Sequence, residues 1–248
     1  MQELKISLIT VTFNAERTIE RCVQSVINQS YPNIEYIIID GNSTDNTGQI
    51  ISKYSSHLQA FISEPDEGVY DAMNKGIKIA TGDIIGMLNA DDFFADDDIL
   101  FKVADAFKQR SIQILYGDLD YVNAAGKVIR KWRSGNYAKG AFNWGWMPPH
   151  PTFYCKKELY DKYGFYSLDY GTAADYELMS RFMVKNNINA SYFQRVMVKM
   201  QIGGKSNKSL SNRVKASLND YRAMKVNGIS IPWVVVLLKP LRKIPQYI

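Results

Sequence analysis

The feature of the sequence that most constrains the fold is a regular alternation of apolar runs and amphipathic segments over the first 120 residues. The apolar runs are rich in β-branched residues and predict strands at 5–12, 34–41, 58–63, 83–90 and 112–122. Between them, apolar residues recur at helical spacing and predict helices at 16–28, 43–54, 68–80 and 97–108. Repeated β-α-β order predicts an α/β fold with a mostly parallel, doubly wound, Rossmann-like sheet.

The pattern changes after Val122. The elements predicted there are an antiparallel strand at 126–132, an aromatic and proline-rich loop at 143–154, helices near 156–162 and before 186, a strand at 190–199 and a basic helix at 210–226. We therefore expect a smaller antiparallel portion beside the parallel sheet, followed by a basic, helical C-terminal tail.

Charge is distributed unevenly along the chain. Residues 205–248 carry nine Lys or Arg against one acid, a net charge of +8, which leaves −3 for residues 1–204. This distribution argues against a nucleic-acid-binding stripe across the fold and favours a tail that meets an anionic surface. The cysteines, Cys22 and Cys155, lack metal-ligand spacing and are expected to be buried thiols of a reducing compartment.

The last twenty residues, "ISIPWVVVLLKPLRKIPQYI", combine Trp233, a short apolar run and three basic residues. No run reaches the roughly 18 apolar residues of a membrane span. Such a segment can lie in the headgroup region of an anionic leaflet, which predicts peripheral membrane contact. A helix packed on the body is the alternative. No early apolar run resembles a signal peptide, so we expect a cytoplasmic protein.

Three predicted strands end in polar residues: "TFN" at 12–14, "DGN" at 40–42 and "NADD" at 89–92. The carboxyl ends of parallel strands meet at one edge of the sheet, where ligands bind. The first turn has no glycine-rich phosphate loop, so a bound diphosphate would need a hard divalent cation held by Asp91 and Asp92. A turn or helix cap is the alternative for these two, and the expected role of Asp96–Asp98 is to start the next helix.

Four segments in this order resemble one protein family. They are "SLITVTFNAERTIERCVQSVINQSYPNIEYIIIDGNSTDNT", "SEPDEGVYDAMNKGIKIATGDIIGMLNADD", "HPTFYCKKELYDKYGFYS" and "AADYELMSRF". They resemble inverting glycosyltransferases of family 2 with the GT-A fold, and in particular bacterial enzymes of O-antigen, capsule and exopolysaccharide assembly. The resemblance implies a nucleotide-sugar-binding half at 1–120 and an acceptor-binding half at 121–204, with the basic tail at 205–248.

The resemblance also implies which residues bind the donor. Thr12, Phe13 and Asn14 match the segment beside the nucleotide base, and Asp40 matches the aspartate that accepts a hydrogen bond from the base. The candidates beside the ribose and diphosphate are Asp71, Asn74 and Lys75, for which a solvated helix face is the alternative. In the DxD-like triplet Asn89-Ala90-Asp91, Asp91 is the first candidate ligand for Mn or Mg and Asp92 the second. Asn89 departs from the usual aspartate and contributes no charge.

On the acceptor side, Asp175 in "TAADYEL" matches the family's general base, which deprotonates the attacking hydroxyl. Thr172-x-x-Asp175 also has the spacing of a helix capping box, and the two roles are compatible. His150, Trp146 and Tyr170 are the candidates that contact the acceptor. The alternatives are a structural role for His150 and packing for the aromatic rings, including Trp144 and Tyr154.

The resemblance therefore predicts an inverting hexosyltransferase, cytoplasmic and touching the inner face of the inner membrane. It would move a sugar from a nucleotide-diphosphate sugar, with UDP-sugars considered first, to a saccharide or polyprenyl-linked saccharide of a surface polysaccharide. Two other functions stay open. A nucleotidyltransferase would want a glycine-rich phosphate loop near the first strand. A non-catalytic nucleotide-sugar-binding subunit would be expected to lack Asp91 or Asp175.

Overall fold

The computed structural model describes residues 3–109, 111–202 and 210–247. The strands are β1 (Ile6–Thr12), β2 (Ile34–Asp40), β3 (Ala60–Ser63), β4 (Ile84–Asn89), β5 (Asp92–Phe94), β6 (Ile114–Val122), β7 (Val128–Trp132), β8 (Tyr154–Lys156) and β9 (Ala190–Gln201). The α-helices are α1 (Ile19–Ile27), α2 (Thr47–Ser52), α3 (Val69–Ile79), α4 (Ile99–Phe107), α5 (Lys157–Tyr163), α6 (Ala174–Ser180), α7 (Leu210–Val226) and α8 (Pro232–Leu241).

The first four strands form the parallel part of one sheet, in the order β3-β2-β1-β4. In their register Thr12 lies opposite Asp40, and Val11 lies opposite Asn89. The three polar strand ends therefore share one edge of the sheet, and their predicted convergence is confirmed. Since the four strands run in the same direction, the regular alternation of the sequence is enough to produce this arrangement.

The remaining strands complete a mixed sheet through distant pairings. β8 joins β4 to β6 in antiparallel pairing, β6 runs parallel to β9, and β7 lies antiparallel to β6, as predicted. The short strand β5 was not predicted. It pairs antiparallel with β9, so that Asp92 lies opposite Met200. A strand of three residues is too short to show a local periodicity, and its partner lies about 100 residues away in the sequence, so the sequence pattern does not predict it.

The sheet has an apolar core on each face because its central strands are covered on both sides. Ile9 and Val11 of β1 belong to one core, whereas Ile6 and Leu8 belong to the other, as alternation along a strand requires. The predicted α/β architecture, a parallel sheet with an antiparallel portion, is confirmed. Asp98 precedes α4 as its N-cap residue and pairs with Lys102, and Asp96 pairs with Arg195, so this acidic run lies at the start of a helix, as predicted.

The C-terminal segment packs against the body. Val235 of α8 is buried in the core that contains β1 residues Ile9 and Val11, and Lys239 forms an ion pair of 2.7 Å with Asp220 of α7. Tyr247 forms a β-bridge with Arg130 of β7. The outer side of α8 and the turn after it expose four large apolar side chains, which are Trp233, Leu237, Leu241 and Ile244. Within the described residues, no helix combines the length and the hydropathy that crossing a membrane requires.

Candidate active site

Asp40 organises the sheet edge at the end of β2. Its carboxylate is buried and accepts hydrogen bonds from the Ser43 backbone nitrogen at 3.0 Å, the Ser63 hydroxyl at 2.6 Å and the Ser43 hydroxyl. The chain therefore already holds this carboxylate in a fixed orientation at the rim. A hydrogen bond from a nucleotide base to Asp40 stays a prediction.

The end of β1 is tied to the same rim. The Asn14 backbone nitrogen donates to the Ser43 hydroxyl at 2.8 Å, and the Asn14 side-chain oxygen accepts from the Thr44 backbone nitrogen at 2.9 Å. Asn14 adopts a left-handed backbone conformation with φ of 51°, which asparagine tolerates well. The Thr12 hydroxyl is buried without a hydrogen-bond partner in the described part of the chain.

Phe13 and Gly41 follow the ends of these two strands. Phe13 is 55% exposed there, and Gly41 lies between its ring and the Asp66 carboxylate. A Cβ atom on Gly41 would lie 2.5 Å from Asp66 Oδ2, so a larger residue here would require the Asp66 carboxylate to shift. Asp66, whose Oδ1 accepts a hydrogen bond from the Gly68 backbone nitrogen at 2.8 Å, was not among the predicted site residues.

Helix α3 carries the three candidates for the ribose and diphosphate. Lys75 contacts Glu64 at 2.9 Å and Asp71 at 3.5 Å, and it donates to the Pro65 carbonyl at 2.8 Å. Asn74 points inward: its amide donates to the Tyr166 carbonyl at 2.8 Å and accepts from the Tyr166 nitrogen at 3.0 Å. Asn74 thus connects α3 to the backbone of Tyr166 in the second half of the chain. Contacts of Asp71, Asn74 and Lys75 with a nucleotide-sugar donor stay predictions.

The acidic turn after β4 combines two desolvated carboxylates. Burial raises the pKa of Asp91, and burial followed by repulsion from Asp91 raises the pKa of Asp92 well above its usual range. Asp92 Oδ2 accepts a hydrogen bond from the Asn89 amide at 3.0 Å, whereas Oδ1 has no partner among the described residues. Crowded carboxylate oxygens, one of them buried and unsatisfied, fit a hard divalent cation.

The residues of this turn do not by themselves complete a metal site. No group of three or more His, Cys, Asp or Glu side chains that could hold an ion occurs in the described ranges. A cation held by Asp91 and Asp92 would therefore take its other ligands from water and from a bound diphosphate, as Mg²⁺ commonly does.

Asp175 lies in the first turn of α6, next to residues from three distant segments. Tyr70 lies near Asp175, and burial followed by the charge of this carboxylate raises the pKa of Tyr70 well above its usual range. Tyr70 packs on Tyr166 with ring centroids 5.4 Å apart, and the Tyr166 hydroxyl lies 2.7 Å from His150 Nε2. Burial lowers the pKa of His150, an effect that the nearby Asp175 charge opposes.

Asp175 opens on a cavity of about 1210 Å³ between the body and the C-terminal segment. His150 and Trp146 line this cavity. Trp146 is nevertheless buried, because its indole nitrogen donates to the Ser134 carbonyl at 2.8 Å and its ring packs on Phe142. Tyr170 does not line the cavity in the described structure and lies under the Arg222 guanidinium instead.

The polar sheet edge and the carboxylate at the neighbouring cavity do not by themselves define a class of enzyme. The comparison with known families does. The family model for "Glycosyl transferase family 2" matches residues 7–170. The chain belongs to glycosyltransferase family 2. The matched range contains the donor-edge candidates and His150, and it ends before Asp175.

Curated relatives agree with this membership. The chain is 33% identical over 186 residues to an uncharacterised glycosyltransferase of Mycobacterium tuberculosis, a match that covers 71% of this chain and 68% of that protein. It is 30% identical over 213 residues to a PGL/p-HBAD biosynthesis glycosyltransferase of Mycobacterium bovis, covering 81% and 78% of the two chains.

Solved glycosyltransferase structures share the fold of this family 2 chain at low sequence identity. The S. aureus TarS structure superposes with a TM-score of 0.69 at 18% identity, over 92% of this chain and 40% of that one. The mannosyltransferase PcManGT from Pyrobaculum calidifontis, in complex with GDP-Man and Mn²⁺, gives a TM-score of 0.68 at 16% identity over 96% of this chain and 69% of its own. This chain thus spans less than half of that TarS chain.

Proposed function

We propose that this family 2 member is an inverting, metal-assisted glycosyltransferase that uses a nucleotide-diphosphate sugar and Asp175 as general base. The observation that carries the proposal is the position of Asp175 at a cavity wall, where its Oδ1 accepts a hydrogen bond from the Tyr176 backbone nitrogen at 2.7 Å and Tyr70 of α3 lies near it. A carboxylate oriented in this way can accept the proton of an acceptor hydroxyl as that hydroxyl attacks the sugar.

The donor would bind at the rim formed by Thr12, Phe13 and Asp40, with its diphosphate toward Asn89 and Asp91. The exposed Phe13 ring offers a surface on which a base can stack, and Asp40 offers a fixed carboxylate. UDP-sugars are the first candidates, because one TarS structure is described as a complex with UDP-GlcNAc.

A divalent cation at Asp91, with Asp92 as the second ligand, would neutralise the charge of the leaving diphosphate. The crowded, desolvated carboxylates of this turn support such a site, and the PcManGT structure is described with Mn²⁺. In the protein itself, the Asn89 amide would keep Asp92 oriented through the hydrogen bond described above.

The proposed acceptor is a saccharide or polyprenyl-linked saccharide of a bacterial surface polysaccharide, reached by peripheral contact with the membrane. The exposed apolar side chains along α8, Trp233 and Leu237 among them, and the nearby Arg242 and Lys243 support such contact. We expect Trp233→Ser/Leu237→Ser to reduce sedimentation with anionic vesicles, whereas Val226→Ser, at an exposed apolar residue of α7, should not. Equal sedimentation of all three proteins would refute this contact.

Donor identity is tested by a thermal-shift screen of nucleotide sugars with and without Mn²⁺. We expect at least one nucleotide sugar to raise the melting temperature in a Mn-dependent way, because a ligand that binds only the folded state stabilises it. A screen in which no nucleotide sugar shifts the melting temperature would remove the donor assignment.

The role of Asp175 is tested by Asp175→Asn, which keeps the shape of the side chain and removes the base. We expect transfer to fall about 10²- to 10⁴-fold while donor affinity is retained. Asp169→Asn makes the same change at an exposed residue outside the cavity lining and serves as the matched control. Near-normal turnover of Asp175→Asn would exclude it as the base, and donor binding without transfer in the unmodified protein would favour a non-catalytic subunit.

A further inference from the structure

The walls of the cavity at Asp175 come from two different parts of the chain. One wall comes from the body, with Lys131 and Arg133 on and beside β7 and His150 on the loop before β8. The other wall comes from the C-terminal segment, which contributes Arg242 and Lys243 among its lining residues. The tail therefore helps to build the cavity on which the proposed base opens.

The lining of this cavity carries more positive than negative charge. Its positively charged residues are Lys131, Arg133, Lys239, Arg242 and Lys243, and its negatively charged residues are Asp175 and Asp220. Lys239 is neutralised by Asp220 at 2.7 Å, and Arg133 is neutralised by Asp120 at 2.7 Å.

Three lining cations remain without a carboxylate within ion-pair distance in the described ranges: Lys131, Arg242 and Lys243. Partial burial and then the positive charges of Arg130 and Lys239 lower the pKa of Lys243, an effect that the charges of Asp220 and Asp175 oppose. Arg130 is a buried cation whose guanidinium lies 4.4 Å from the Tyr121 ring centroid and donates to the side-chain oxygen of the lining residue Gln246 at 2.9 Å, and it has no carboxylate within ion-pair distance in the described ranges.

The geometry points to a phosphate-bearing acceptor whose anionic group binds Arg242 and Lys243 of the C-terminal segment, opposite Lys131, while a sugar hydroxyl reaches Asp175. This inference rests on the proposed glycosyl transfer and names the acceptor class for the same site. Arg and Lys side chains are the usual partners of phosphate oxygens, Arg through paired hydrogen bonds and Lys as a compact charge.

The charge pattern also sets the orientation of such an acceptor. Asp175 is the one lining carboxylate that no cation neutralises within ion-pair distance in the described structure, so its charge disfavours a phosphate beside it. The phosphate would contact the cations of the tail, and an uncharged sugar would lie against the base. A neutral saccharide would leave these three exposed cations to the solvent.

Isothermal titration of the full-length chain with geranyl diphosphate, inorganic pyrophosphate and geraniol tests the inference. We expect both diphosphates to bind and geraniol not to bind. Arg242→Gln/Lys243→Gln should weaken diphosphate binding about tenfold or more, because each residue gives up a charge-assisted contact. Lys215→Gln/Lys225→Gln removes two exposed charges of α7 outside the cavity lining, and its affinity should change by less than about twofold.

The outcomes separate this site from the donor site. We expect Asp91→Ala to bind geranyl diphosphate as the parent protein does. The inference would be overturned if Asp91→Ala lost this binding while Arg242→Gln/Lys243→Gln kept it. Equal weakening by the two charge-removing double variants, or equal affinity for geraniol, would also overturn it. Tighter binding of geranyl diphosphate than of pyrophosphate supports a lipid-linked phosphate, whereas equal binding supports a phosphate of any source.

The two proposals can fail separately. If no nucleotide sugar binds but the diphosphates still bind in a way that depends on Lys243, the proposed transfer fails and the anion site stands. If nucleotide sugars bind and are transferred but diphosphate binding ignores Arg242 and Lys243, the acceptor class is wrong and the transferase assignment stands.

Discussion

The proposed donor edge, at the ends of β1, β2 and β4, and the proposed acceptor cavity at Asp175 are built in different ways. At the proposed donor edge, polar groups find partners within a few residues or within one β-α-β unit: Asn89 bonds to Asp92, and Asp40 bonds to Ser43 and Ser63. At the cavity, Asp175 meets Tyr70 and lies near Lys243, residues separated from it by long stretches of sequence. The donor edge thus follows from local β-α-β order, whereas the cavity exists only after distant segments have packed.

The largest expected effect lies where the two regions join, between β4 and β8. A Cβ atom on Gly86 of β4 would lie 2.2 Å from Cε1 of Tyr154, whose ring is fully buried and has no room to move. We expect Gly86→Ala to lower the free energy of unfolding by about 3 kcal/mol, as overpacking of a filled core does. Urea unfolding followed by circular dichroism measures the change.

Gly48→Ala is the matched control for that substitution. Its Cβ would lie 4.0 Å from the Phe61 ring, an ordinary contact, and Gly48 is in α2, where alanine is the better helix former. We expect Gly48→Ala to stabilise the protein by roughly 0.5–1 kcal/mol. Similar destabilisation by both variants would show that the loss of stability does not come from overpacking between β4 and β8.

Asn74→Ala breaks the hydrogen-bonded clamp between the two regions. Because it leaves both backbone groups of Tyr166 without their partner, we expect a loss of about 2 kcal/mol in unfolding free energy. Lys78→Ala, on the exposed side of the same helix, should change stability by less than about 0.5 kcal/mol. If Asn74→Ala is as stable as Lys78→Ala, water replaces the hydrogen bonds of the Asn74 amide without loss of unfolding free energy.

His150 gives the cavity a pH dependence of stability. Burial lowers its pKa in the folded protein below the usual 6.5, so below about pH 6.5 the unfolded chain binds more protons. Stability is therefore fully present above this pH and is lost as the pH falls through the folded pKa. Between pH 8 and pH 5, we expect His150→Asn to lose less stability than the parent protein, as measured by urea unfolding at the two pH values.

The comparison for His150 is His57→Asn, which removes the other histidine from an exposed position. If His57→Asn flattens the pH dependence as much as His150→Asn does, the effect does not originate at the cavity.

The smallest expected effect is the absence of thiol reaction in the folded protein. Burial raises the pKa values of Cys22 and Cys155 to about 12, and the two thiols lie in the cores on opposite faces of the sheet. In the variants Cys22→Ala and Cys155→Ala, we expect the remaining thiol to react with a disulfide reagent equally slowly, through global unfolding. Faster labelling of Cys155 would show that the acceptor side opens without the donor side.

The donor edge was the more predictable region, for a physical reason. The apolar runs ending at Thr12, Asp40 and Asn89 set the strand ends, and the register of parallel strands brings those ends together. The same reasoning missed β5, which places Asp92 in a buried antiparallel pair, and Asp66, whose importance depends on its close approach to Gly41. Neither feature leaves a period in the local sequence.

The acceptor side was predictable only through motifs. The resemblance identified Asp175 and His150, and both line the cavity, but it also named Tyr170, which lies under Arg222. It missed Tyr70, although this tyrosine stands within the quoted "DEGVYDAMNKG" segment, because the contact with Asp175 joins residues 105 positions apart.

The sequence by itself determined the α/β alternation, the family and the acidic turn after β4, since each depends on residues near one another in the chain. Only the tertiary structure decided that the basic tail packs on the body and that Arg242 and Lys243 line the cavity with Asp175. A count of charges gives the net sign of a segment. Which of those charges remain unpaired depends on which carboxylates the fold brings within reach, and long-range packing decides that.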